Sequence, residues 1–136
     1  MQKLISFVRL ASVLAIAAPA LADGSGPVKP NLILNQVVEG LPTGTKSEVR
    51  VLTAMFKPGD KTPHHTHDFP VTVYVLEGAF TLELKGQSPI TVKAGEAYVE
   101  PPNVEMTGFN RSTTDVTKVV IFYLSTPGKP FLNPLH

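Results

Sequence analysis

The sequence contains no cysteine among its 136 residues. A chain without thiols forms no disulfide, binds no metal through thiolate and has neither a cysteine nucleophile nor a CxxC redox pair. Any metal must therefore be bound through nitrogen, oxygen or thioether ligands.

The sequence also lacks a strong charge of either sign. Lys and Arg number 12 against 11 Asp and Glu, which gives a formal net charge of +1. No cluster of Lys and Arg interleaved with aromatic residues occurs along the chain. Without such a basic surface there is no field to attract a polyanion, so nucleic acid is not expected as a partner.

No hydrophobic run reaches the ~20 residues that a membrane-spanning helix needs. The apolar stretch from Leu10 to Ala18 follows Lys3 and Arg9 and precedes Ala20-Leu21-Ala22. This order of basic, apolar and small residues is typical of a secretory signal peptide. We expect cleavage after Ala22, so that residues 1–22 are the signal, and a mature protein that is periplasmic or secreted and not attached to a membrane. Loss of the two basic residues changes the formal charge to −1.

The rest of the chain has no long amphipathic helical pattern and no internal repeat. Residues 23–30 are small, polar and rich in Pro and Gly, which predicts a flexible lead-in, and residues 31–136 are predicted to form one domain. Short runs of Val, Leu, Ile, Phe and Thr alternate there with Gly, Pro and Asn, which indicates an all-β antiparallel sandwich or barrel. About eight strands are predicted, at 31–38, 48–57, 71–77, 79–84, 90–93, 97–100, 104–110 and 116–124. Gly78 is predicted to form the turn of a hairpin, and Phe131 and Leu132 a final edge segment.

Three of the four histidines lie together in Pro63-His64-His65-Thr66-His67-Asp68. In an extended segment residues i and i+2 point the same way, so His65 and His67 can present both imidazoles to one ion while His64 points to the opposite face. Two neutral imidazoles suit zinc, copper, nickel or iron, but they are an incomplete ligand set. The pair therefore predicts a transition-metal site that needs further ligands from elsewhere in the chain.

The residues around this pair resemble the conserved motifs of the cupins. The first motif is similar to Gly59, five further residues, His65-Thr66-His67 and then Tyr74-Val75-Leu76-Glu77-Gly78. The second is similar to the segment from Gly95 to Asn110, which contains Pro101-Pro102-Asn103. The resemblance implies a cupin-type double-stranded β-helix, a conical antiparallel barrel of jelly-roll kind with ligands reaching into its mouth. Small cupins often form homodimers through their sheets, so the resemblance also implies a homodimer of this kind, with a monomer as the alternative.

The chain departs from the cupin pattern at two of the four usual ligand positions. The resemblance implies a glutamate where this sequence has Val71, and a third histidine where it has Met106. In place of the histidine, Met106 has two interpretations: a flexible apolar side chain that fills the space, or a thioether ligand that completes a set with His65 and His67. A thioether ligand favours copper, Cu(I) in particular. If Met106 is not a ligand, the candidates for the site are zinc, iron or nickel, or no metal.

Other polar residues near the motifs are predicted to lie outside the site. Asp68 and Glu105 alternate away from the ligand face and are interpreted as surface carboxylates. Tyr98 and Glu100 share one face, for which a solvated edge is favoured over a pocket hydroxyl and acid. Phe80, Met55, Phe109 and Phe122 are expected to fill the barrel.

Three functions follow as hypotheses from these residues. The first is an exported binding protein that holds a transition metal, copper among the candidates, or a small molecule in the barrel mouth through His65 and His67. The second is an enzyme, a mononuclear metal dioxygenase of the quercetinase-like kind or an isomerase, as the resemblance implies. The third is a metal-free structural or interaction module, because a fold does not fix a function.

Overall fold

The computed structural model describes residues 26–136, and within this range it contains nine β-strands and no helix. The all-β prediction is confirmed. The strands are β1 (Glu48–Phe56), β2 (His65–Thr66), β3 (Val71–Glu77), β4 (Ala79–Leu84), β5 (Ile90–Lys93), β6 (Ala97–Glu100), β7 (Met106–Phe109), β8 (Thr117–Ser125) and β9 (Asn133–Pro134).

Residues 31–136 group into one compact unit, and residues 26–30 belong to a separate unit in which they are exposed and form no strand. The predicted signal peptide and the first residues of the predicted lead-in, 23–25, lie outside the described residues. In the part of the chain that is described, no helix has the length and hydropathy to cross a bilayer.

The strands form two antiparallel sheets. One has the order β1-β8-β3-β6 and the other the order β5-β4-β7-β2-β9. Alternation along each strand directs one set of side chains to the inner face, and the two inner faces share a single apolar cluster. Fully burying one such side chain stabilises the fold by about 1.5–3 kcal/mol. The cluster consists of Val73, Val75, Phe80, Leu82, Leu84, Val92, Met106 and Val119.

Gly78 joins β3 to β4 but does not form the predicted hairpin. β3 pairs with β6 and β8, whereas β4 pairs with β5 and β7, so the two strands lie in different sheets. Gly78 has φ 75°, and a Cβ there would collide with the carbonyl oxygen of Val116. Only glycine fits this left-handed, crowded position, which turns the chain from one sheet to the other.

The predicted strand at 31–38 is absent. This segment contains apolar residues of strand type, but no strand of either sheet pairs with it, and Leu32 and Val37 are 74% and 94% exposed. Without a ladder partner, β-propensity alone does not make a strand. The predicted edge segment at Phe131 and Leu132 is shifted by two residues, because the pairing begins at Asn133.

The predicted filling of the barrel is correct for Phe80 and wrong for Met55 and Phe122. Phe80 is 4% exposed, whereas Met55 is 61% exposed and Phe122 is 47% exposed. In β1 it is Phe56 that faces the core, so alternation places Met55 outside. Phe122 likewise lies between two inward residues of β8.

Candidate metal centre

His65 and His67 lie on one side of the segment that contains β2. The backbone of His65 pairs with Met106 of β7 and with Pro134 of β9, while the carbonyl of His67 accepts a hydrogen bond from the amide of Asn103 at 2.8 Å. Asn103 adopts the left-handed conformation, φ 59°, which asparagine tolerates better than most residues. The two imidazoles are 4% and 1% exposed, and their Nε2 atoms are 3.0 Å apart.

A backbone carbonyl fixes the orientation of each imidazole. His65 Nδ1 lies 2.7 Å from the oxygen of Pro63, and His67 Nδ1 lies 2.6 Å from the oxygen of Phe131. A carbonyl oxygen only accepts, so each Nδ1 must be the donor. In the neutral form each Nε2 then carries a bare lone pair, which is the state in which imidazole binds a metal.

Glu100 brings a carboxylate to the same point. Its Oε2 lies 3.1 Å from His67 Nε2, and the residue is only 6% exposed. The expectation of a solvated edge is therefore wrong for Glu100. In the register of β3 and β6, Glu100 is directly opposite Val71, where the resemblance implied a glutamate. The carboxylate that β3 lacks is thus supplied by β6, which could be found only from the strand pairing.

When both imidazoles are neutral and Glu100 is ionised, these three side chains present only acceptors to one another. Two bare imidazole nitrogens at 3.0 Å, with a carboxylate oxygen at 3.1 Å from one of them, repel unless a cation lies between them. Burial lowers the pKa of the His65 imidazole and the neighbouring His67 lowers it further, whereas the Pro63 carbonyl and the Glu100 carboxylate offset part of this. In this state the arrangement suits a cation shared by the three side chains.

The separations fit a metal, although the site is not preformed. Among residues 26–136 no group of three or more His, Asp or Glu side chains is already arranged as a metal site. Ligand atoms bound at about 2.0–2.1 Å lie about 3 Å apart at the ~90° angles of an octahedral site and about 3.4 Å apart at the tetrahedral angles of zinc, and the donor atoms here have the octahedral spacing.

A small cavity adjoins the three side chains inside the barrel. Its volume is about 40 Å³, enough for one or two water-sized molecules, and the larger surface depressions of the molecule do not touch the histidine pair. Most of its walls are apolar. They are formed, beside His65, His67 and Glu100, by Phe56, Thr62, Val73, Phe80, Leu82, Gly108, Val119, Ile121, Phe131 and Leu132.

Met106 is fully buried and lies directly opposite His65. Residues directly opposite in an antiparallel pair share a face, with Cβ atoms about 4.5–5.5 Å apart. Met106 also belongs to the apolar core cluster and does not line the cavity beside the histidines. Both sequence interpretations, packing and thioether ligand, therefore remain predictions.

The neighbouring polar residues lie outside the centre, as predicted. His64 and Glu105 have half-exposed side chains and contact each other at 3.4 Å, and Glu105 also pairs with Lys85 at 2.6 Å. Asp68 accepts a hydrogen bond from Asn133 at 2.7 Å, and this bond and nearby Lys129 hold the pKa of its carboxyl below the usual value. None of these carboxylates reaches the histidine pair.

Comparison with known proteins identifies the fold. The family model described as "Cupin domain" matches residues 52–122, which include both histidines, Glu100 and Met106. A search of curated proteins finds no match.

Solved structures resemble the chain over about two thirds of its length. A cupin-like protein from Thermotoga maritima is 26% identical, with a TM-score of 0.53 over 64% of each chain. An RmlC-like cupin with a double-stranded β-helix fold from Methanocaldococcus jannaschii is 21% identical, with a TM-score of 0.54 over 69% of this chain and 94% of that one. A DMSP lyase from Ruegeria pomeroyi is 13% identical, with a TM-score of 0.54 over 63% of this chain and 42% of the lyase. The chain thus spans less than two thirds of the Thermotoga protein and under half of the lyase.

Proposed function

The chain belongs to the cupin superfamily, and from that premise we propose that it binds one divalent first-row transition-metal ion through His65, His67 and Glu100. The observation that carries the proposal is the convergence of three buried nitrogen and oxygen atoms, spaced 3.0 and 3.1 Å, each of which can accept a cation. A bound cation would convert this repulsion into three attractive contacts.

The ligand set favours borderline and hard metals over soft ones. Two imidazoles and one carboxylate are the ligands of catalytic zinc sites and of the facial triad of non-haem iron proteins. Zinc, iron and nickel are therefore the first candidates. Copper is the second candidate, supported by the position of the buried Met106 sulfur-bearing side chain opposite His65.

A facial set of three protein ligands leaves coordination positions open, which supports an oxygenase as the catalytic alternative. The adjoining cavity limits what such an enzyme takes in. Pockets for drug-sized ligands measure about 300–1,000 Å³, whereas this one measures about 40 Å³. With the cavity closed as it is here, the site has room for water or dioxygen but not for a flavonol.

The proposal includes export and self-association. The signal-like N-terminus supports a periplasmic or secreted protein, where a thiol-free metal site is chemically stable. The exposed apolar side chains on the outer face of the first sheet, Val49, Val51, Met55 and Phe122, support a homodimer. Intact mass of the exported protein and sedimentation velocity test these two points.

The test of the metal site compares two adjacent histidines. Mature protein purified without a His tag is loaded with Zn²⁺, Fe²⁺ or Cu²⁺, desalted and analysed for metal content. We expect about one metal ion per chain in the parent and in His64→Ala, because His64 lies outside the centre with a half-exposed side chain. We expect His67→Ala to lose the metal. Equal metal content in the two variants, or none in the parent, would overturn the proposal.

A further inference from the structure

The residues after β8 cross the barrel beside the candidate metal centre. We call residues 126–135 the C-terminal strap. Two of them, Phe131 and Leu132, line the same cavity as His65 and His67, and the strap ends with β9, which pairs with β2. The strap therefore forms part of the wall between the centre and the solvent.

The strap contacts the ligand His67 directly. The carbonyl of Phe131 accepts the hydrogen bond from His67 Nδ1 at 2.6 Å, and the Phe131 ring packs on the imidazole with 4.9 Å between ring centres. The ring of Phe131 also packs edge-on against buried Tyr123 at 5.4 Å. Because this carbonyl forces the proton onto Nδ1, it keeps Nε2 free for a cation.

Three other anchors of the strap are on the same short segment that carries the ligands. Asn133 donates to Asp68 at 2.7 Å, Lys129 pairs with Asp68 at 3.2 Å, and the amide of Leu135 donates to the carbonyl of His64 at 2.8 Å. β1 adds two bonds: Arg50 donates to the carbonyl of Lys129 at 2.7 Å, and the amide of Gly128 donates to Glu48 at 3.2 Å. Movement of the strap therefore acts on the residues around His65 and His67.

The strap is held more weakly than the sheets. Its strand β9 has two residues, against nine in β1 and β8, and residues 126–130 are exposed. Segments with few buried contacts and short ladders open at a fraction of the global unfolding free energy. The strap can thus open with loss of the edge strand β9 while the other eight strands stay paired.

We propose that the C-terminal strap gates the metal centre, with Phe131 as the positioning residue that holds His67 in its metal-binding tautomer. This inference rests on the proposed metal site. Opening of the strap uncovers the cavity and removes the acceptor of His67 Nδ1, so metal is taken up and released through the open form. A metal on Nε2 makes Nδ1–H a stronger donor to Phe131, so bound metal holds the strap closed. By linkage the effect is reciprocal: a loosened strap must weaken metal binding.

The test loosens the strap without touching a ligand. Asn133→Ala removes the bond to Asp68 and leaves the Phe131 carbonyl in place. Leu135→Ala is the matched control, since it shortens a partly exposed side chain of the strap while its amide bond to His64 stays. Release of bound Co²⁺ into a chelator is followed by stopped-flow absorbance on the full-length mature protein. We expect release at least tenfold faster from Asn133→Ala than from the parent, and within twofold of the parent for Leu135→Ala.

Two further measurements report on positioning. Hydrogen exchange of peptides from the strap should slow at least threefold when the parent binds metal, and less in Asn133→Ala. The Nδ1 proton of His67, which gives a downfield NMR signal when it is hydrogen bonded, should be seen in the parent and broaden in the variant. Phe131→Ala, which keeps the carbonyl but removes the ring from His67, replaces Asn133→Ala in each comparison if circular dichroism shows that the latter is unfolded.

The outcomes separate this inference from the metal site itself. If the parent binds metal but Asn133→Ala, or Phe131→Ala in its place, changes metal release by no more than twofold, the gate is wrong and the metal site stands. The gate is also wrong if hydrogen exchange of the strap does not change when the parent binds metal. If the parent binds no metal under any loading condition, the proposed function fails and the gate fails with it.

Discussion

Replacement of Glu100 by glutamine should change metal affinity and metal-free stability in opposite directions. The side chain keeps its size and its position 3.1 Å from His67 Nε2, but it loses its charge and gains a donor. In the metal-free protein an amide N–H can donate to the bare Nε2, where the carboxylate could only repel it. One net hydrogen bond contributes about 1 kcal/mol, so the free energy of unfolding should rise by roughly that amount.

The same substitution should weaken metal binding strongly. Loss of a partner in the outer shell of a metal site costs about 10–100-fold in affinity, and a ligand contributes more. We therefore expect the Kd for Zn²⁺ to rise at least ~100-fold, which corresponds to about 2.7 kcal/mol. Chelator-competition titration measures the Kd, and guanidinium denaturation of the metal-free protein measures the stability.

Glu105→Gln is the matched control. It makes the same change of formal charge at a carboxylate that pairs with Lys85 on the surface. Its effect on the Kd should stay within threefold, because an exposed ion pair is worth little and lies outside the centre. The reasoning is refuted if Glu100→Gln leaves the Kd within threefold of the parent while it lowers metal-free stability. Glu100 would then be a structural acid that donates its own proton to His67.

Three further predictions follow from the same geometry. Burial lowers the pKa of His65 below its ordinary value of 6.5, so as the pH falls the unfolded chain binds this proton before the folded one. The stability of the metal-free protein should therefore be highest above pH 6.5 and fall below it. Denaturation midpoints at pH 8 and 5.5 measure the fall, which should be smaller in His65→Gln. Met106→Leu should leave the Kd for zinc within threefold of the parent. If the thioether is a ligand, the same substitution should weaken Cu(I) binding at least ~10-fold, because leucine conserves volume and removes only the sulfur. Unchanged Cu(I) affinity means that Met106 only packs. Glu100→Val should abolish metal binding, and addition of Val71→Glu should restore part of it, since the two positions are cross-strand partners; metal analysis of both variants decides this.

The sequence predicts the fold well because barrel strands carry a strong two-residue periodicity and the turns carry strong glycine and proline signals. Strands β3 to β6 agree with the predicted runs at their boundaries. The errors occur where the structure depends on a pairing strand rather than on the local sequence pattern. Residues 31–38 have strand composition but no strand to pair with, and Gly78 joins two different sheets where a hairpin was predicted. Propensity describes one segment, whereas pairing is a property of two.

The residues of the candidate site also divide into those that a local pattern predicts and those that depend on strand pairing. The contact between His65 and His67 follows from their i, i+2 spacing alone, because that spacing places both rings on one face in any extended segment. Glu100 lies 33 positions beyond His67 in the chain and joins them only through the register of β3 with β6. Alternation shows which face of a strand a residue shares with its neighbours, but not whether other elements bury that face. The sequence therefore favours a solvated carboxylate at Glu100. The Phe131 carbonyl carries no side-chain signal at all.

The register also explains how the chain can lack the expected glutamate at 71 and still have a carboxylate in the centre. Residues directly opposite in an antiparallel pair share one face of the sheet, with Cβ atoms about 4.5–5.5 Å apart. A glutamate side chain is long enough to cover that separation, so either strand can deliver its carboxylate to the same part of the barrel interior. Val71 then packs at 1% exposure, and Glu100 takes over the polar contact with His67. The proposed metal centre is therefore defined by a face of the sheet, and a carboxylate can reach it from either of two paired strands.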